Sequence, residues 1–188
     1  MSPKIIQRSI FVLIALMSLN TIRCGKRPFT IVFHNVSCPT FDPICQLAEC
    51  DLKKLGTSRY SLSGMFKLSR TMPEHIVGRA MIHVRGIKRN RTITFLDVKM
   101  KMCDLLRHTN YMPLVDQIMN EVRRVTNLPM SCPVEGNVMY NVTNVIITDD
   151  LFPVYAPPVY FNVTIDFFDR NKLLALYRLQ GSILPKYK

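Results

Sequence analysis

Cysteines are the residues of this chain with the clearest chemical use. Six are present: Cys24, Cys38, Cys45, Cys50, Cys103 and Cys132. Three of them lie close together, with six residues between Cys38 and Cys45 and four between Cys45 and Cys50. In an oxidising compartment they would form disulfides, in any of fifteen connectivities if all six pair. Zinc binding is the competing use, but the spacing is wider than that of close zinc ligands and no histidine pair lies nearby. We therefore expect stabilising disulfides and no metal site.

The other residues that could do chemistry form no catalytic pattern. The four histidines are scattered along the chain: His34, His75, His83 and His108. No G-x-S-x-G elbow, H-E-x-x-H pair or phosphate-binding glycine loop is present. Acids come close together at Asp149-Asp150 and at Asp166 and Asp169, but hydrolysis by paired carboxylates depends on a separation in space that sequence does not give. The pattern predicts a protein that is not an enzyme and needs no cofactor.

The N-terminus has the pattern of a secretory signal peptide. Lys4 and Arg8 precede an apolar run from Ile10 to Leu19 in which Ser18 is the one polar residue, whereas a membrane-spanning helix needs about 20 apolar residues. We expect residues 1–24 to be the signal peptide and residues 25–188 to form one secreted, extracellular domain. Neither Ser18 nor Cys24 has a good small-x-small context, so the cleavage site stays open, and its position decides whether five or six cysteines remain.

The chain is strongly basic. Its formal charge is +12, and removal of Lys4, Arg8 and Arg23 with the signal peptide would leave +9. The densest cationic cluster consists of Arg85, Lys88, Arg89 and Arg91. This basic patch would suit an acidic lipid, a glycosaminoglycan or a sialylated surface, and the alternative is a solvated hairpin tip with no partner. No nucleic-acid-binding motif accompanies it, so no nucleic-acid partner is expected.

Alternating apolar and polar residues predict β-strands through most of the chain. The first three predicted strands are 60–69, 76–84 and 92–103, with a turn at 85–90, and they would form a meander. The alternation is interrupted between the third strand and residue 138. Further strands are then predicted at 138–142, 161–168 and 173–183. The intervening 149–158 contains two acids and three prolines and should be a loop or sheet edge.

Helical periodicity occurs once. Leu114, Ile118, Val122 and Val125 recur at three- and four-residue spacing after Pro113, which predicts one amphipathic helix at about 113–125. It should stop near Asn127, because Pro129 cannot continue it.

These elements predict a mostly β protein of about seven strands, an immunoglobulin-like antiparallel β-sandwich stapled by disulfides, with a barrel as the alternative. Eleven methionines and ten phenylalanines without tryptophan favour an adaptable interior, either an apolar cavity between the sheets or an ordinary packed core. Candidate cavity-lining residues are those expected to face inward: Phe66, Ile82, Val84, Phe95, Met100, Met102, Phe161, Val163, Ile165 and Phe167.

Four Asn-x-Ser/Thr sequons are glycosylation candidates. Asn141 and Asn162 fall on the polar sides of their predicted strands, and Asn90 falls at a predicted turn, so these three should be exposed. Asn35 shares a side with Phe33, and the alternation does not settle which way it faces.

Four segments of the chain have a distinctive arrangement: His34–Cys38, Cys50–Lys53, Met102–Leu106 with the helix that follows, and Asn127–Pro133. They resemble the landmarks of an insect-specific family of small secreted proteins of unassigned function. That family is related to the CheB chemosensory proteins and, more remotely, to the ML lipid-recognition domains and the ganglioside activator protein. The resemblance covers roughly residues 30–183. It departs from the family pattern at 90–95 and at Lys101.

By position, the resemblance places the family's four landmark cysteines at Cys38, Cys50, Cys103 and Cys132. Cys24 and Cys45 would be extra and could pair with each other. It also implies a sandwich that binds a lipid or hydrophobic semiochemical, as a chemosensory accessory protein with a membrane receptor among its partners. The alternative is a ligand-free extracellular interaction module whose basic patch docks on a receptor or acidic glycan, and steep salt dependence would distinguish it from a carrier of a buried ligand.

Overall fold

The structure is a computed structural model that describes residues 27–107 and 113–186, with side chains described for all of these except 113–118. Its strands are β1 (Phe29–Ser37), β2 (Cys45–Gly56), β3 (Arg59–Leu68), β4 (Val77–Gly86), β5 (Thr92–Lys101), β6 (Met139–Thr148), β7 (Val159–Asp169) and β8 (Lys172–Pro185). Its helices are α1 (Met102–Leu106), α2 (Pro113–Arg124) and a 3-10 turn (Asp149–Leu151). The predicted signal peptide, residues 1–24, lies outside the described residues.

The strands form two antiparallel sheets. The larger sheet has the order β1-β8-β7-β4-β5, and the smaller has the order β2-β3-β6. The fold is therefore mostly β with two antiparallel layers, as the alternating pattern predicts. The helix predicted at 113–125 is also confirmed, and it ends at Arg124.

Two details of the predicted strand arrangement are wrong. The first three predicted strands do not form a meander, because β3 lies in the smaller sheet whereas β4 and β5 pair with each other in the larger one. The chain changes sheets in the segment between β3 and β4, which contains Pro73. In addition, β1 and β2 were not among the predicted strands.

The two sheets meet in a cluster of buried side chains that we call the main core: Phe29, Ile31, Phe33, Tyr60, Phe161, Leu179 and Ile183. Phe33 of β1 lies at its centre, with its ring centroid 5.0 Å from that of Tyr60 and 5.6 Å from that of Phe161, both edge to face. Such pairs add to the burial of each aromatic side chain, which contributes about 1.5–3 kcal/mol. The main core therefore fixes β1, β7 and β8 against β3.

Two smaller buried clusters lie towards the other end of the strands. One contains Ile44, Ile76 and Leu174, and the other contains Leu106, Val134 and Tyr140. Met72 packs against both of them, so the segment that joins β3 to β4 links the two clusters.

The disulfides join parts of the two sheets. Cys38, directly after β1, is bonded to Cys50 of β2. Cys103 of α1, which follows β5, is bonded to Cys132, which precedes β6. Thus all four landmark cysteines are bonded. Cys45 has a free, buried thiol, and burial raises its pKa. Its predicted pairing with Cys24 stays a prediction, because Cys24 lies outside the described residues.

Candidate functional site

Strand register determines which candidate lining residues share a face. β4 lies between β5 and β7, and Ile82 is opposite Val163 on one side and Leu96 on the other. Val84 is opposite Phe161, which belongs to the main core. Because directly opposed residues project to the same side of a sheet, this face of β4, β5 and β7 is the inner one.

Seven of the ten candidate residues lie together on that inner face: Ile82, Val84, Met100, Phe161, Val163, Ile165 and Phe167. Phe66 lies on the smaller sheet, with its ring centroid 5.3 Å from that of Tyr140. Met102 lies in α1 and packs against the cluster of Ile44, Ile76 and Leu174.

Phe95 does not face inward as expected. The pairing of β4 with β5 shifts between Ile82, which is opposite Leu96, and His83, which is opposite Thr94. Phe95 is the extra residue of this β-bulge, and it is 71% exposed. Phe95 is also three residues from Val98 and five from Met100, so the alternation of β5 by itself already places it on the side of Asp97 and Lys99.

The inner face is unevenly buried. Phe161 is 7% exposed, but five inward-facing side chains farther along β4, β5 and β7 are only partly buried and lie outside every buried cluster among the described residues. We call them the half-buried stripe: Ile82, Val98, Met100, Ile165 and Phe167. Inward-facing apolar side chains of a close-packed interior are normally buried. The stripe is therefore apolar surface that a ligand could cover.

A polar group lies on the same inner face. Tyr177 of β8 is opposite Ile165 of the half-buried stripe, and its hydroxyl is buried with no hydrogen-bond partner among the described residues. Burial also raises the pKa of Tyr177, so the hydroxyl is protonated at neutral pH and can donate. A buried hydroxyl without a partner is costly, and a polar ligand group beside it could accept its hydrogen bond.

Tyr177 is a residue that the sequence reasoning did not select. It lies within the predicted strand 173–183, two residues before the buried Leu179. Two-residue spacing from an apolar residue was the available signal, since it places a tyrosine on the inner side of its strand.

The basic patch lies at the tip of the β4–β5 hairpin, as predicted. The Arg89 amide donates to the Gly86 carbonyl at 3.0 Å and closes the turn. The Arg85 guanidinium lies 5.3 Å from the centroid of the Tyr160 ring. Arg85, Lys88, Arg89 and Arg91 are all exposed, and none takes part in a salt bridge identified among the described residues.

Two of the three sequons predicted to be exposed are exposed, and the third is not. Asn90 and Asn141 are exposed as expected, and so is Asn35. Asn162 lies in the centre of the larger sheet and is only partly buried rather than exposed, with its side-chain oxygen buried. Modification of these asparagines stays a prediction.

The remaining chemical groups are dispersed in the part of the chain that the structure describes. His75 Nε2 is 2.6 Å from Asp169 Oδ1, and His34 Nε2 is 3.0 Å from Ser182 Oγ. Within the described ranges no three His, Cys, Asp or Glu side chains cluster as a metal site. No helix in those ranges has the length and apolar character needed to cross a bilayer.

Comparison with known proteins finds a similarity for part of the chain. Residues 79–163, from β4 into β7, match a family described as "Protein of unknown function (DUF1091)". The match includes β5, β6, both helices and three of the five residues of the half-buried stripe, while Ile165, Phe167 and Tyr177 lie beyond it. A search of the curated proteins finds no match. The central part of this sandwich is thus similar to the DUF1091 family, whose function is unassigned.

Proposed function

We propose that the protein is an extracellular, non-enzymatic binder of a lipid or hydrophobic semiochemical, and that the ligand lies against the half-buried stripe. The observation that carries this proposal is the partial exposure of five apolar side chains on the inner face of β4, β5 and β7. Water contact with these side chains is unfavourable, and an acyl chain between the sheets would remove it.

The energetics suit an acyl chain. Burying one methylene contributes about 0.8 kcal/mol. An acyl chain of roughly twelve methylenes would therefore gain several kcal/mol of binding free energy after the cost of ordering it. This corresponds to affinity in the micromolar range.

Tyr177 favours a ligand with a polar end over a pure hydrocarbon. Its buried hydroxyl is opposite Ile165, so a carboxylate or hydroxyl at one end of the ligand could accept its hydrogen bond while the chain covers the stripe. A fatty acid is the simplest molecule of this kind.

The proposed setting is outside the cell. The signal-like N-terminus and the two disulfides support secretion, because disulfides persist in oxidising compartments. The resemblance to the insect family related to CheB proteins further supports a role as a chemosensory accessory protein that acts with a membrane receptor.

Native mass spectrometry of protein secreted from eukaryotic cells tests the proposal. We expect an adduct of a few hundred daltons, the mass range of a single-chain lipid, and displacement of a fluorescent fatty acid by unlabelled fatty acid. A protein that carries no adduct and does not bind the fluorescent fatty acid is not a carrier.

Matched variants on β5 locate the ligand. Val98 faces inward opposite Ala80, and its neighbour Lys99 is exposed. Val98→Trp should abolish binding of the fluorescent fatty acid, because the indole would occupy the space over the stripe, whereas Lys99→Trp should bind normally. Equal binding by two folded variants would contradict the proposed position.

Tyr177→Phe tests the polar contact separately. Removal of a buried hydroxyl without a partner should leave the free energy of unfolding unchanged or raise it by about 1–3 kcal/mol. Affinity for the fatty acid should fall, while affinity for the corresponding alkane should not. If both affinities are unchanged, Tyr177 does not contact the ligand.

A further inference from the structure

Several connections emerge together at one end of the larger sheet. Val159, the first residue of β7, is opposite Gly86 at the end of β4 and Ile183 near the end of β8. The Ile31 amide of β1 donates to Ser58 Oγ in the β2–β3 turn at 3.0 Å. The β2–β3 turn, the β4–β5 hairpin and the β6–β7 loop therefore share this end of the molecule, which we call the hairpin end.

The hairpin end exposes several large apolar side chains. Leu55 is 51% exposed beside the β2–β3 turn, and Val154 and Tyr155 are 57% and 87% exposed in the β6–β7 loop. Ile87, between Arg85 and Lys88, is 39% exposed, and Ile93, which follows the basic patch, is 53% exposed. Scattered single apolar residues are ordinary on surfaces, but these five occur on three adjoining connections.

Cations surround these apolar residues. Besides the basic patch, Lys54 and Arg59 are exposed beside the β2–β3 turn. The two acids of the β6–β7 loop are already paired, Asp150 with Arg27 at 3.5 Å and Asp149 with Lys186 at 3.9 Å. The hairpin end therefore has a strong positive charge that acids of this loop do not cancel.

We propose that the hairpin end docks on an anionic lipid bilayer. The five apolar side chains would enter the interface between headgroups and acyl chains, and the cations would contact lipid phosphates and carboxylates. Tyr155 and Tyr160, exposed at 87% and 39%, are residues that favour the level of the headgroups. An acidic glycan would satisfy the cations alone and would leave the apolar side chains in water. The combination favours a membrane, and the inference does not rest on a ligand between the sheets.

Docking requires that Asn90 carry no glycan. Asn90 lies within the turn that bears Lys88, Arg89 and Arg91, so an N-glycan there would separate the tip from a membrane. The predicted modification of Asn90 and the docking proposal exclude each other. Peptide mapping of the secreted protein distinguishes them, and full occupancy of Asn90 would overturn the proposal.

Vesicle flotation of the full secreted protein tests docking directly. We expect binding to vesicles of phosphatidylcholine with phosphatidylserine and little binding to phosphatidylcholine alone. Lys88→Glu with Arg89→Glu should lower the partition coefficient by about tenfold or more. Ile87→Ser with Ile93→Ser should also lower it, because apolar insertion contributes to interfacial binding.

Control variants match each change at the opposite end. Lys99→Glu with Lys101→Glu makes the same change in net charge on exposed residues of β5. Phe41→Ser alters an exposed apolar residue, 54% exposed, in a segment whose amide bonds to Leu174 near the start of β8. Both controls should bind vesicles as the unchanged protein does.

Three results would overturn the proposal. One is equal loss of binding in the control and tip variants, which would indicate attraction by net charge alone. Another is full binding by the serine variant, which would indicate surface adsorption without insertion. The third is retention on heparin without binding to phosphatidylserine vesicles, which would assign the basic patch to an acidic glycan. None of these bears on fatty-acid binding, so the two proposals fail separately.

Discussion

The two sides of the larger sheet are filled differently. On the β1–β8 side, Phe33 and Ile31 are 9% and 1% exposed and lie in the main core, against Tyr60 of the smaller sheet. On the β4–β5 side, inward-facing Ile82 and Val98 are apolar as well but remain partly exposed. Apolar and polar residues alternate along the sequence in both regions. Alternation therefore predicts which side of the sheet a side chain faces, but not how deeply it is buried.

The numbers of strands suggest why the two sides differ. The larger sheet has five strands and the smaller has three. The disulfide from Cys38 holds β2 at the β1 side, so the smaller sheet begins over that side and has fewer strands to cover the other. The contrast separates a region that stabilises the fold from the partly exposed apolar region to which our proposal assigns the ligand.

The largest expected effect compares two identical substitutions. Phe33→Ala should lower the free energy of unfolding by about 3–5 kcal/mol, because it leaves a cavity between Tyr60 and Phe161. Phe167→Ala, on the half-buried stripe, should cost less than half as much, because water already reaches that side chain. Urea denaturation measures both. Equal losses would show that the interior is packed to the same density throughout.

The two disulfides should differ modestly in how much they contribute to the free energy of unfolding. Loop closure predicts a loss of about 3.6 kcal/mol when Cys103–Cys132 is replaced by serines and about 2.8 kcal/mol for Cys38–Cys50, since the bonded residues are 29 and 12 positions apart. Thermal unfolding of the two double variants measures the difference. A larger loss for Cys38–Cys50 would mean that its position at the densely packed side outweighs loop length.

A smaller loss of stability is expected at one glycine, with a second glycine as its control. A Cβ on Gly181 would lie 2.4 Å from Cζ of Phe161 and 2.9 Å from the Val32 carbonyl oxygen, whereas a Cβ on Gly56 would meet nothing within 4 Å. Gly181→Ala should destabilise the protein by about 1–3 kcal/mol through overpacking. Gly56→Ala is the matched control and should be neutral or stabilising. If Gly181→Ala is also neutral, the main core is looser than its burial indicates.

The smallest expected effect is a loss of stability at acidic pH. On β4 and β5, Arg79 donates to Asp97 from Nε at 2.8 Å and from Nη2 at 2.6 Å, and these hydrogen bonds lower the pKa of Asp97 below its ordinary 3.8. A lowered folded-state pKa contributes stability that is present above the ordinary value and is lost as pH falls through the folded value. Both side chains are partly exposed, so the contribution is small.

Hydrogen exchange measures this effect strand by strand. Amides of β5 should lose protection at a higher pH than amides of β1, and Asp97→Asn should remove that difference. If β1 and β5 lose protection together in the unchanged protein, the Arg79–Asp97 pair does not act locally.

Much of the fold could be predicted because alternation and helical periodicity are local properties. The strands around Ile82 and Val163 and the helix at Pro113–Arg124 follow from them. The assignment of strands to sheets could not be predicted, since nothing in the segment before Val77 indicates that the chain crosses between layers. β2 was missed because charged residues such as Lys53 and Lys54 interrupt its apolar pattern.

The candidate site was predictable in direction but not in detail. Residues such as Val163 and Met100 could be placed on the inner face, because each follows an unbroken alternation. Phe95 did not belong with them, because the same alternation places it on the side of Lys99. The β-bulge at Phe95 is what the sequence does not reveal. The Tyr177 hydroxyl lacks a hydrogen-bond partner among the described residues because of the side chains that surround it in three dimensions. Residue spacing in the sequence does not predict those neighbours.

The bulge at Phe95 has a consequence for self-association. β5 is a terminal strand of the larger sheet, and a flat, regular terminal strand is a template on which a second molecule can add its own strand and begin a fibre. The inserted residue breaks the even row of backbone donors and acceptors, and Lys99 and Lys101 bring like charges together when two such edges approach. The protein would thereby be kept from polymerising through this edge.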